Sequence, residues 1–439
     1  MKKDVTEKEV SQIWQYQWLN RKGLVTEDNE PIEIIYPGRI NDNQGADFCD
    51  AVIARRMGIM KGDIEIHRKS SDWRTHRHHH DASYNRVILH VVMQHNTRIA
   101  TSLQNGTEIP VLALEKYLKT PQHQPGGTVY PLANLKMPCR KVVAHLGKAA
   151  LGGCLDEAGE ERFLAKSGRF QAELAQMEAS QCLYRGIMGA LGYSRNKPQF
   201  LELAGRLPLR VLESIMDSGI SGEGSLLRQQ ALLLGMAGLL SSPCQEIVEE
   251  QTGNGQWLDR LSRCWASYQR TDTMSPDDWH LFKVRPNNSP IRRLLAMSYL
   301  TNRFRPGGLL PGLIDLVREA PAGNGGSMER ALLVRTGYAG SGPISTLLGR
   351  GRAADIIVNV LLPFALAWGE LAARPELGRK AMALYDGYSR LSINSVEKHM
   401  EAQLGLGHCL INSARRQQGL IHIYYRLCTQ GRCQDCGLS

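Results

Sequence analysis

The sequence predicts an α+β protein in which an N-terminal mixed-sheet domain precedes a larger all-α domain. Short runs rich in β-branched residues cluster near the start of the chain, and helical patterns dominate after about residue 156. Charge changes as well: residues 1–130 carry 17 Lys and Arg against 16 Asp and Glu, whereas residues 131–439 carry 36 against 27. We expect an α+β domain over 1–120, a linker over 121–155 and a basic helical domain over 156–439.

Composition excludes several classes of protein. The chain has 439 residues, of which 42% are hydrophobic and 22% charged, so it is not largely disordered, collagen-like or one long coiled coil. Its first ten residues contain no apolar run of a secretory signal. The longest apolar stretch, 356–368, is too short for a membrane span and predicts a buried helix. We expect a cytoplasmic protein with reduced cysteines and no membrane partner.

The front domain begins with a helix predicted over 5–20, because Thr6 and Glu9 form a capping box. The strands that follow are recognised by β-branched or alternating apolar residues, and we place them at 31–36, 47–54, 62–69 and 86–93. A hairpin is expected around Asn105-Gly106. Farther along, helices are predicted over 159–178, 208–217, 353–369 and 408–428, with no fixed repeat period.

Acidic and basic side chains share one face of the third predicted strand. Because strand side chains alternate, Glu65, His67 and Lys69 form one row. Asp47 opens the preceding strand and can approach Glu65 if the two strands pair. Converging carboxylates beside a lysine suit Mg²⁺ or Mn²⁺, which activates a water while the lysine orients it or stabilises charge. The alternative is the solvated face of an amphipathic strand.

This order of acidic residues resembles that of the PD-(D/E)XK nucleases, in which the acidic residue opens one strand and E-x-K lies on the next. The resemblance implies a restriction-endonuclease-like domain with Asp47, Glu65, His67 and Lys69 as its catalytic set. The sequence departs from the pattern because His67 stands two positions after Glu65 and the lysine falls at 69. His67 would then be a ligand or a base.

A histidine cluster follows directly, at 76, 78, 79 and 80. His76 and His78 can point at one metal ion, and Asp81 could complete the site or hydrogen-bond a ligand histidine. The alternative is a polar loop that titrates near pH 6.5. His90, inside a predicted strand, is expected to be a hydrogen-bonded core residue, and it could face His67 across the sheet.

A second resemblance covers the same residues. The strings G-A-D-F and EIH-x-K-S-S-D-W-x-x-H-x-H resemble those of a bacterial family known only as a domain of unknown function, and the resemblance runs nearly end to end. It also includes Asp81, Tyr84, VILHVV, Pro37, Gly38, Asn41, Arg285 to Asn287, Pro290, Arg292, Asn359, Pro363, Asn394, Glu397 and the three terminal cysteines. It implies no established activity.

The chain ends in C-x4-C-x2-C, at Cys428, Cys433 and Cys436. Three thiols in nine residues suit Zn²⁺ or an iron–sulfur cluster, each of which usually takes four protein ligands. The candidates for a fourth ligand are Cys409, His408, Cys182 and Cys154. The alternative is a frayed tail with unliganded thiols.

Arg285 and Arg292 flank a Pro/Asn-rich turn in the helical half. Arginines there can hold phosphate through planar, two-pronged contacts, which makes them candidate nucleic-acid-binding residues. The alternative is an ordinary helix start, with Ser289 as the N-cap and Pro290 as the first helical residue.

The leading hypothesis is a metal-dependent nuclease, or a nuclease-derived protein that binds nucleic acid. A divalent metal, Mg²⁺ or Mn²⁺, would occupy the front site, and Zn²⁺ or an iron–sulfur cluster the tail. One alternative is a non-catalytic adaptor whose helical half binds protein or RNA. Another is a histidine-centred hydrolase of a small molecule that uses His76, His78 and Asp81.

Overall fold

The fold was established from a computed structural model of the chain. The residues it describes are 5–42, 44–118, 139–193, 195–217, 222–241, 255–268, 270–281, 288–305, 307–321, 325–336, 345–406 and 410–438. They form two compact units. The first comprises Met1–Gly159, Ile393–Ile411 and Arg416–Ser439, and the second comprises Glu160–Ser392 and Asn412–Arg415. Two C-terminal segments therefore belong to the same unit as the N-terminal sheet.

The first unit is built on a mixed sheet of seven strands. Its elements are α1 (Glu7–Tyr16), β1 (Leu24–Val25), β2 (Pro31–Tyr36), β3 (Arg39–Ile40), β4 (Phe48–Arg55), β5 (Gly58–Lys69), α2 (Asp72–Thr75), β6 (Val87–Gln94), β7 (Thr101–Ser102), β8 (Glu108–Ile109) and β9 (Val111–Ala113). The sheet order is β1-β2-β4-β5-β6-β9, with β3 beside β4, while β7 and β8 form a separate pair. Strands β2, β4 and β5 are antiparallel neighbours, and β5, β6 and β9 run parallel.

Most of the predicted elements in this unit are confirmed. Strand β2 has the predicted bounds, and β4, β5 and β6 each lie within a few residues of theirs. The Thr6–Glu9 capping box is present, with both reciprocal hydrogen bonds formed. Helix α1 ends earlier than predicted, at Tyr16, because Gln17 adopts a left-handed conformation.

The sheet is covered on both faces. On one face, Val10 and Trp14 of α1 pack against Ile64, Ile66 and other apolar strand residues. On the other face, Tyr36 and Val52 pack with apolar residues of the helices Ser395–Leu404 and Ala414–Arg426. Gly419, in the second of these helices, allows that helix to pack closely against the backbone at Leu155, because a Cβ at this position would lie 2.1 Å from the Leu155 carbonyl oxygen.

The second unit is mainly helical, as predicted. The helices that belong to it or enter it are Arg140–Leu174, Ala179–Leu191, Lys197–Arg206, Leu209–Asp217, Gly222–Met236, Gly255–Ala266, Pro290–Arg303, Leu309–Glu319, Gly326–Leu332, Arg350–Ile356, Leu362–Leu371 and Pro375–Asp386. A two-stranded antiparallel sheet, Val334–Thr336 with Ser345–Leu348, was not predicted. Residues 119–138, which include the Pro/Gly-rich start of the predicted linker, lie outside the described residues.

The predicted apolar helix lies in the run Arg350–Leu371, which includes a π-helical turn at Ile357–Leu361. By length and composition alone this run could cross a membrane. However, 72% of its most apolar window is buried within the structure, which is typical of a core helix. The prediction of a buried helix is confirmed.

Candidate metal centre

The candidate metal centre consists of Asp47, Glu65, His67, His76 and His78, and it is built around strand β5. Its even-numbered residues Ile64 and Ile66 enter the apolar core under α1, so alternation directs Glu65 and His67 to the opposite face. Both are buried, with relative exposures of 5% and 1%. Polar side chains in such positions need partners, because a buried group without a hydrogen bond destabilises the fold.

Asp47 is the first partner of Glu65. It lies immediately before β4, and the antiparallel register that pairs Phe48 with Ile64 brings it beside Glu65. The Asp47 backbone N–H donates to Glu65 Oε2 at 3.0 Å, and the Ile66 N–H donates to Asp47 Oδ2 at 3.0 Å. The predicted approach of Asp47 to Glu65 is therefore present in the structure.

Burial raises the pKa of both carboxyl groups. For Asp47, the negative charge of Glu65 raises the pKa further. A third acidic residue, Glu7 at the start of α1, adds its negative charge to both. Carboxylates crowded in this way favour either protonation or a bound cation. Sequence reasoning missed Glu7, which is far from the motif along the chain.

A buried hydrogen-bonded relay, from His67 through His90 to Thr101, supports the His67 ring. Its Nδ1 lies 2.9 Å from His90 Nε2, and His90 Nδ1 lies 3.3 Å from Thr101 Oγ1. Burial lowers the pKa of His67 to about 2 and that of His90 to about 3, so both rings are neutral at pH 7. His90 is the expected hydrogen-bonded core residue, and it does face His67 across the parallel β5–β6 pair.

The direction of this relay decides what His67 presents to the centre. If His67 Nδ1–H donates to His90 and His90 Nδ1–H donates to Thr101, the lone pair of His67 Nε2 faces Glu65 and His76. A metal-ligating histidine uses one nitrogen and donates from the other, so a metal at Nε2 would select this arrangement. Thr101 is a supporting residue that the sequence did not single out.

His76 and His78 complete the group from the crossover between β5 and β6. His76 Nδ1 lies 3.0 Å from His67 Nε2, and the rings of His67 and His78 stack at 5.2 Å. One ligand atom from each of the three histidines lies within 4.8 Å of the others. His78 Nε2 also lies 3.2 Å from Glu65 Oε1, which joins the histidines to the carboxylate pair.

The backbone between these histidines is strained. Arg77 has φ of +60°, in the left-handed region that non-glycine residues rarely occupy. This conformation turns the chain from α2 into the short 3₁₀ turn His78–His80. Such strain is common at binding sites, where the surrounding contacts enforce it.

Two aromatic side chains enclose the centre. Trp73 is buried, donates from Nε1 to the Ser102 carbonyl at 3.0 Å and contacts the rings of His78 and His90. Tyr84 lies against His78, with ring centroids 3.9 Å apart. These contacts restrict the rotamer of His78 and reduce its access to water. The sequence marks both residues only through their place in the family-like string.

Two predicted site residues lie at the margin. Lys69 is exposed at the end of β5, where its backbone N–H donates to Asp72. Asp81 caps a second 3₁₀ turn by accepting from the Ser83 N–H at 2.8 Å. Asp81 still acts on the centre at longer range, because its charge raises the pKa of His78 against the larger lowering by burial.

The predicted nucleic-acid-binding arginines give no shared site in the described structure. Arg285 lies outside the described residues. Arg292 is half-buried and donates to the Thr346 carbonyl oxygen at 3.1 Å. Its helix begins at Pro290 with Ser289 as the N-cap residue, which matches the alternative of an ordinary helix start.

The tail cysteines differ in exposure: Cys428 is buried, Cys436 half-buried and Cys433 exposed. Among the candidate fourth ligands, Cys409 and His408 lie outside the described residues, whereas Cys182 belongs to the second unit. Cys154 lies in the first unit, near Cys436.

Comparison with known families assigns the chain to one of them. Residues 7–306 match the model of a family described as "Protein of unknown function (DUF2851)". The chain belongs to this family. The expected membership in a domain-of-unknown-function family is thereby confirmed, and residues 7–306 include every residue of the centre described above. No curated protein and no solved structure matches the chain.

Proposed function

We propose that this protein is a metal-dependent nuclease whose divalent cation is held by Asp47 and Glu65. The observation that carries the proposal is the buried pair itself, in which the Asp47 N–H donates to Glu65 and both pKa values are raised. Two adjacent carboxylates in a desolvated site repel each other, and a divalent cation would remove that repulsion.

The order of elements supports the same proposal. Helix α1 is followed by three antiparallel neighbours, β2, β4 and β5, then by a crossover containing α2, and then by the parallel strand β6. A restriction-endonuclease-like domain of the kind that the sequence resembles has its acidic residues on the second and third of such strands. Here Asp47 precedes β4 and Glu65 lies on β5.

The surrounding donors fit a cation. Glu65 Oε1 lies 3.2 Å from His78 Nε2 and 3.6 Å from His67 Nε2, so carboxylate and imidazole ligands converge on one side of the sheet. A bound divalent ion would supply an activated water and stabilise charge on a phosphodiester. His67 would be a ligand positioned by His90. Exposed Lys69 would contact the phosphate.

The mixed donor set predicts which metal works best. Imidazole is a poor ligand for Mg²⁺, whereas carboxylates suit both Mg²⁺ and Mn²⁺. Because at least two neutral histidines border the carboxylate pair, we propose Mn²⁺ as the preferred cofactor and expect weaker support from Mg²⁺.

A polyanionic substrate is consistent with the second unit. Four exposed arginines, Arg303, Arg330, Arg335 and Arg350, line a cleft of about 570 Å³. Arginine clusters of this kind bind phosphate groups, and the excess of basic residues lies after residue 130, a range that contains the whole second unit. We therefore propose nucleic acid as the substrate class.

The cysteines support a cytoplasmic location, which we also propose. None of the eight cysteines whose bonding the structure describes is in a disulfide. Free thiols persist in reducing compartments, where glutathione and thioredoxin act.

The test is cleavage of labelled single- and double-stranded DNA and RNA with Mn²⁺ or Mg²⁺. We compare wild type with Glu65→Gln and Asp47→Asn, which preserve side-chain shape and remove the charge. Cleavage should fall by about a thousandfold in each, since the metal contributes several kcal/mol of transition-state stabilisation.

Asp63→Asn is the matched control, because Asp63 is a buried carboxylate on the same strand face that accepts from the Asp50 N–H. It should retain cleavage. Equal cleavage by wild type and Glu65→Gln would place the activity elsewhere. Absence of cleavage with all four substrates and both metals would reject the nuclease and favour the adaptor.

The histidine group favours a second candidate, a metal hydrolase of a small molecule. This candidate is supported by His67, His76 and His78, whose ligand nitrogens lie within 4.8 Å of one another. In that case His78→Ala would abolish hydrolysis of small esters, while Lys69→Ala would leave it unchanged. In the nuclease, Lys69→Ala should reduce cleavage of nucleic acid.

A further inference from the structure

The C-terminal tail packs on the sheet of the first unit. After the helix Ala414–Arg426, two 3₁₀ turns, Cys428–Gln430 and Cys433–Asp435, are joined through Gly431 at φ of +68°. A Cβ on Gly431 would lie 3.1 Å from Val52 Cγ1 and 3.2 Å from Ile35 Cγ2. Glycine therefore serves both the turn and the close approach. The tail is not frayed, so its cysteines have defined surroundings.

A cysteine from the other end of the unit meets this tail. Cys139, just before the helix that begins at Arg140, packs with Cys154 and Cys436 against the apolar cluster that contains buried Cys428. The side chain of Gln403, only 4% exposed, donates from Nε2 to Cys139 Sγ at 3.4 Å. The same side chain slightly lowers the pKa of Cys428 against the larger rise caused by burial. Buried Gln403 therefore lies near both Cys139 and the tail.

The thiols of Cys139, Cys428, Cys433 and Cys436 lie close enough to influence one another electrostatically. Burial raises the pKa of Cys428, and the charges of Cys139, Cys436 and Cys433 raise it further. Burial likewise raises the pKa of Cys139, with a smaller contribution from Cys433. Thiols that pack close together in this way are ordinary ligands for a metal, which supplies the positive charge that thiolates need.

We propose that Cys139, Cys428, Cys433 and Cys436 together bind an iron–sulfur cluster, with Cys139 as the fourth ligand of the C-x4-C-x2-C tail. We choose Cys139 because it accepts the hydrogen bond from buried Gln403, whereas Cys154 packs against the same apolar cluster. The Gln403 amide would donate to the ligand sulfurs, a contact that tunes such clusters. This proposal is independent of the nuclease.

Sulfur spacing favours a cluster over a single zinc ion. Four thiolates bound to one zinc at about 2.3 Å lie about 3.8 Å apart in a tetrahedron. Among the described residues, no three of these thiols lie within 4.8 Å of one another. Thiolates bound to separate irons of a cluster are spaced more widely than those around one zinc ion, which is why we propose a cluster.

The test uses the full-length protein, purified without oxygen from iron-supplemented cells. We expect iron and acid-labile sulfide in equal amounts and a visible absorption band that dithionite bleaches. Cys139→Ser and Cys433→Ser should each lose most of the iron and the band. Cys49→Ser, on β4, is the matched control, and Cys154→Ser tests the neighbouring thiol; both should retain the cluster.

Three results would overturn the proposal. Stoichiometric zinc without sulfide, lost in Cys139→Ser, would replace the cluster with a zinc site. Loss of iron in Cys154→Ser but not in Cys139→Ser would reassign the fourth ligand. Absence of metal in wild type, even after anaerobic reconstitution with iron and sulfide, would leave the tail as packed thiols. Circular dichroism of each variant separates loss of the cluster from loss of the fold.

Discussion

The two units differ in whether their clustered titratable side chains are buried or exposed. In the first, Glu65, His67 and His90 are at most 5% exposed and contact one another directly or through a single neighbour. In the second, the four arginines around the cleft are all exposed. Buried mixed donors suit a small cation, and exposed guanidinium groups suit an extended polyanion. We therefore propose separate tasks for the two units, and four experiments test this proposal.

The largest effect is expected at His90, which supports the centre without belonging to the group that would hold the metal. His90→Phe keeps a ring of similar size and removes the partner of His67 Nδ1. Loss of such a supporting residue typically weakens metal affinity by about 10- to 100-fold. Titration with Mn²⁺ by calorimetry measures the effect. His95→Phe, just beyond β6, is the control, and equal affinity in the two variants would contradict the relay.

The second-largest effect is expected for stability in acid. The arginines of the second unit stay charged at every accessible pH, whereas a largely buried histidine of the first unit gains a proton. His399 Nε2 and the Tyr36 hydroxyl are hydrogen-bonded, and burial lowers the pKa of His399 to about 4. The unfolded chain, with a histidine pKa near 6.5, therefore binds a proton that the folded chain excludes. Stability is full above pH 6.5 and falls as the pH decreases toward 4.

Between pH 7.5 and 5, this single residue should lower the free energy of unfolding by about 2 kcal/mol. Urea denaturation of wild type and His399→Gln at both pH values isolates it, since the other buried histidines are common to both. The loss on acidification should be smaller in His399→Gln. An identical loss would show that His399 does not titrate across this range.

The arginine cleft should influence binding but not the metal. Arg335→Ala combined with Arg350→Ala should weaken binding of single-stranded DNA by about tenfold and reduce the slope of log affinity against log salt by about 1 to 2. Mn²⁺ affinity should not change. Arg318→Ala, an exposed arginine paired with Asp315, is the control. Equal salt slopes in all three proteins would remove the cleft from the binding surface.

The smallest effect is expected at Arg77. Glycine tolerates φ of +60°, so Arg77→Gly should change the free energy of unfolding by less than about 1 kcal/mol and retain Mn²⁺ binding. Arg77→Val should destabilise the protein by about 1–2 kcal/mol, because a β-branched residue disfavours this conformation. Thermal denaturation compares the two variants. Greater damage from glycine than from valine would show that the side chain matters more than the backbone.

Much of the first unit could be predicted from local pattern. The capping box marks the start of α1, β-branched runs mark β2 and β6, and alternation places Glu65 and His67 on one face. Pairing of β4 with β5 then brings Asp47 to Glu65. The helical character of the later chain was also readable from composition and periodicity. These features depend on neighbours in sequence, so the sequence contains them directly.

Other features depend on contacts between distant parts of the chain. Glu7 acts on Glu65, Thr101 supports His90, and Cys139 meets the tail near Cys428. The packing of residues 393–411 and 416–439 in the same unit as the N-terminal sheet is also a contact between distant parts of the chain. None has a periodic or motif signal, because each requires the folded chain to bring together residues far apart in sequence.

The local sequence therefore indicates which residues can act as ligands, acids or bases and which strands carry them. Which of these side chains lie in contact depends on how the chain packs. The packing joins His76 and His78 to His67, leaves Lys69 exposed at the strand end, and uses Asp81 as a cap. The physical reason is that alternation and capping are set within a few residues, whereas burial and proximity are set by how the crossover and the C-terminal helices pack on the sheet.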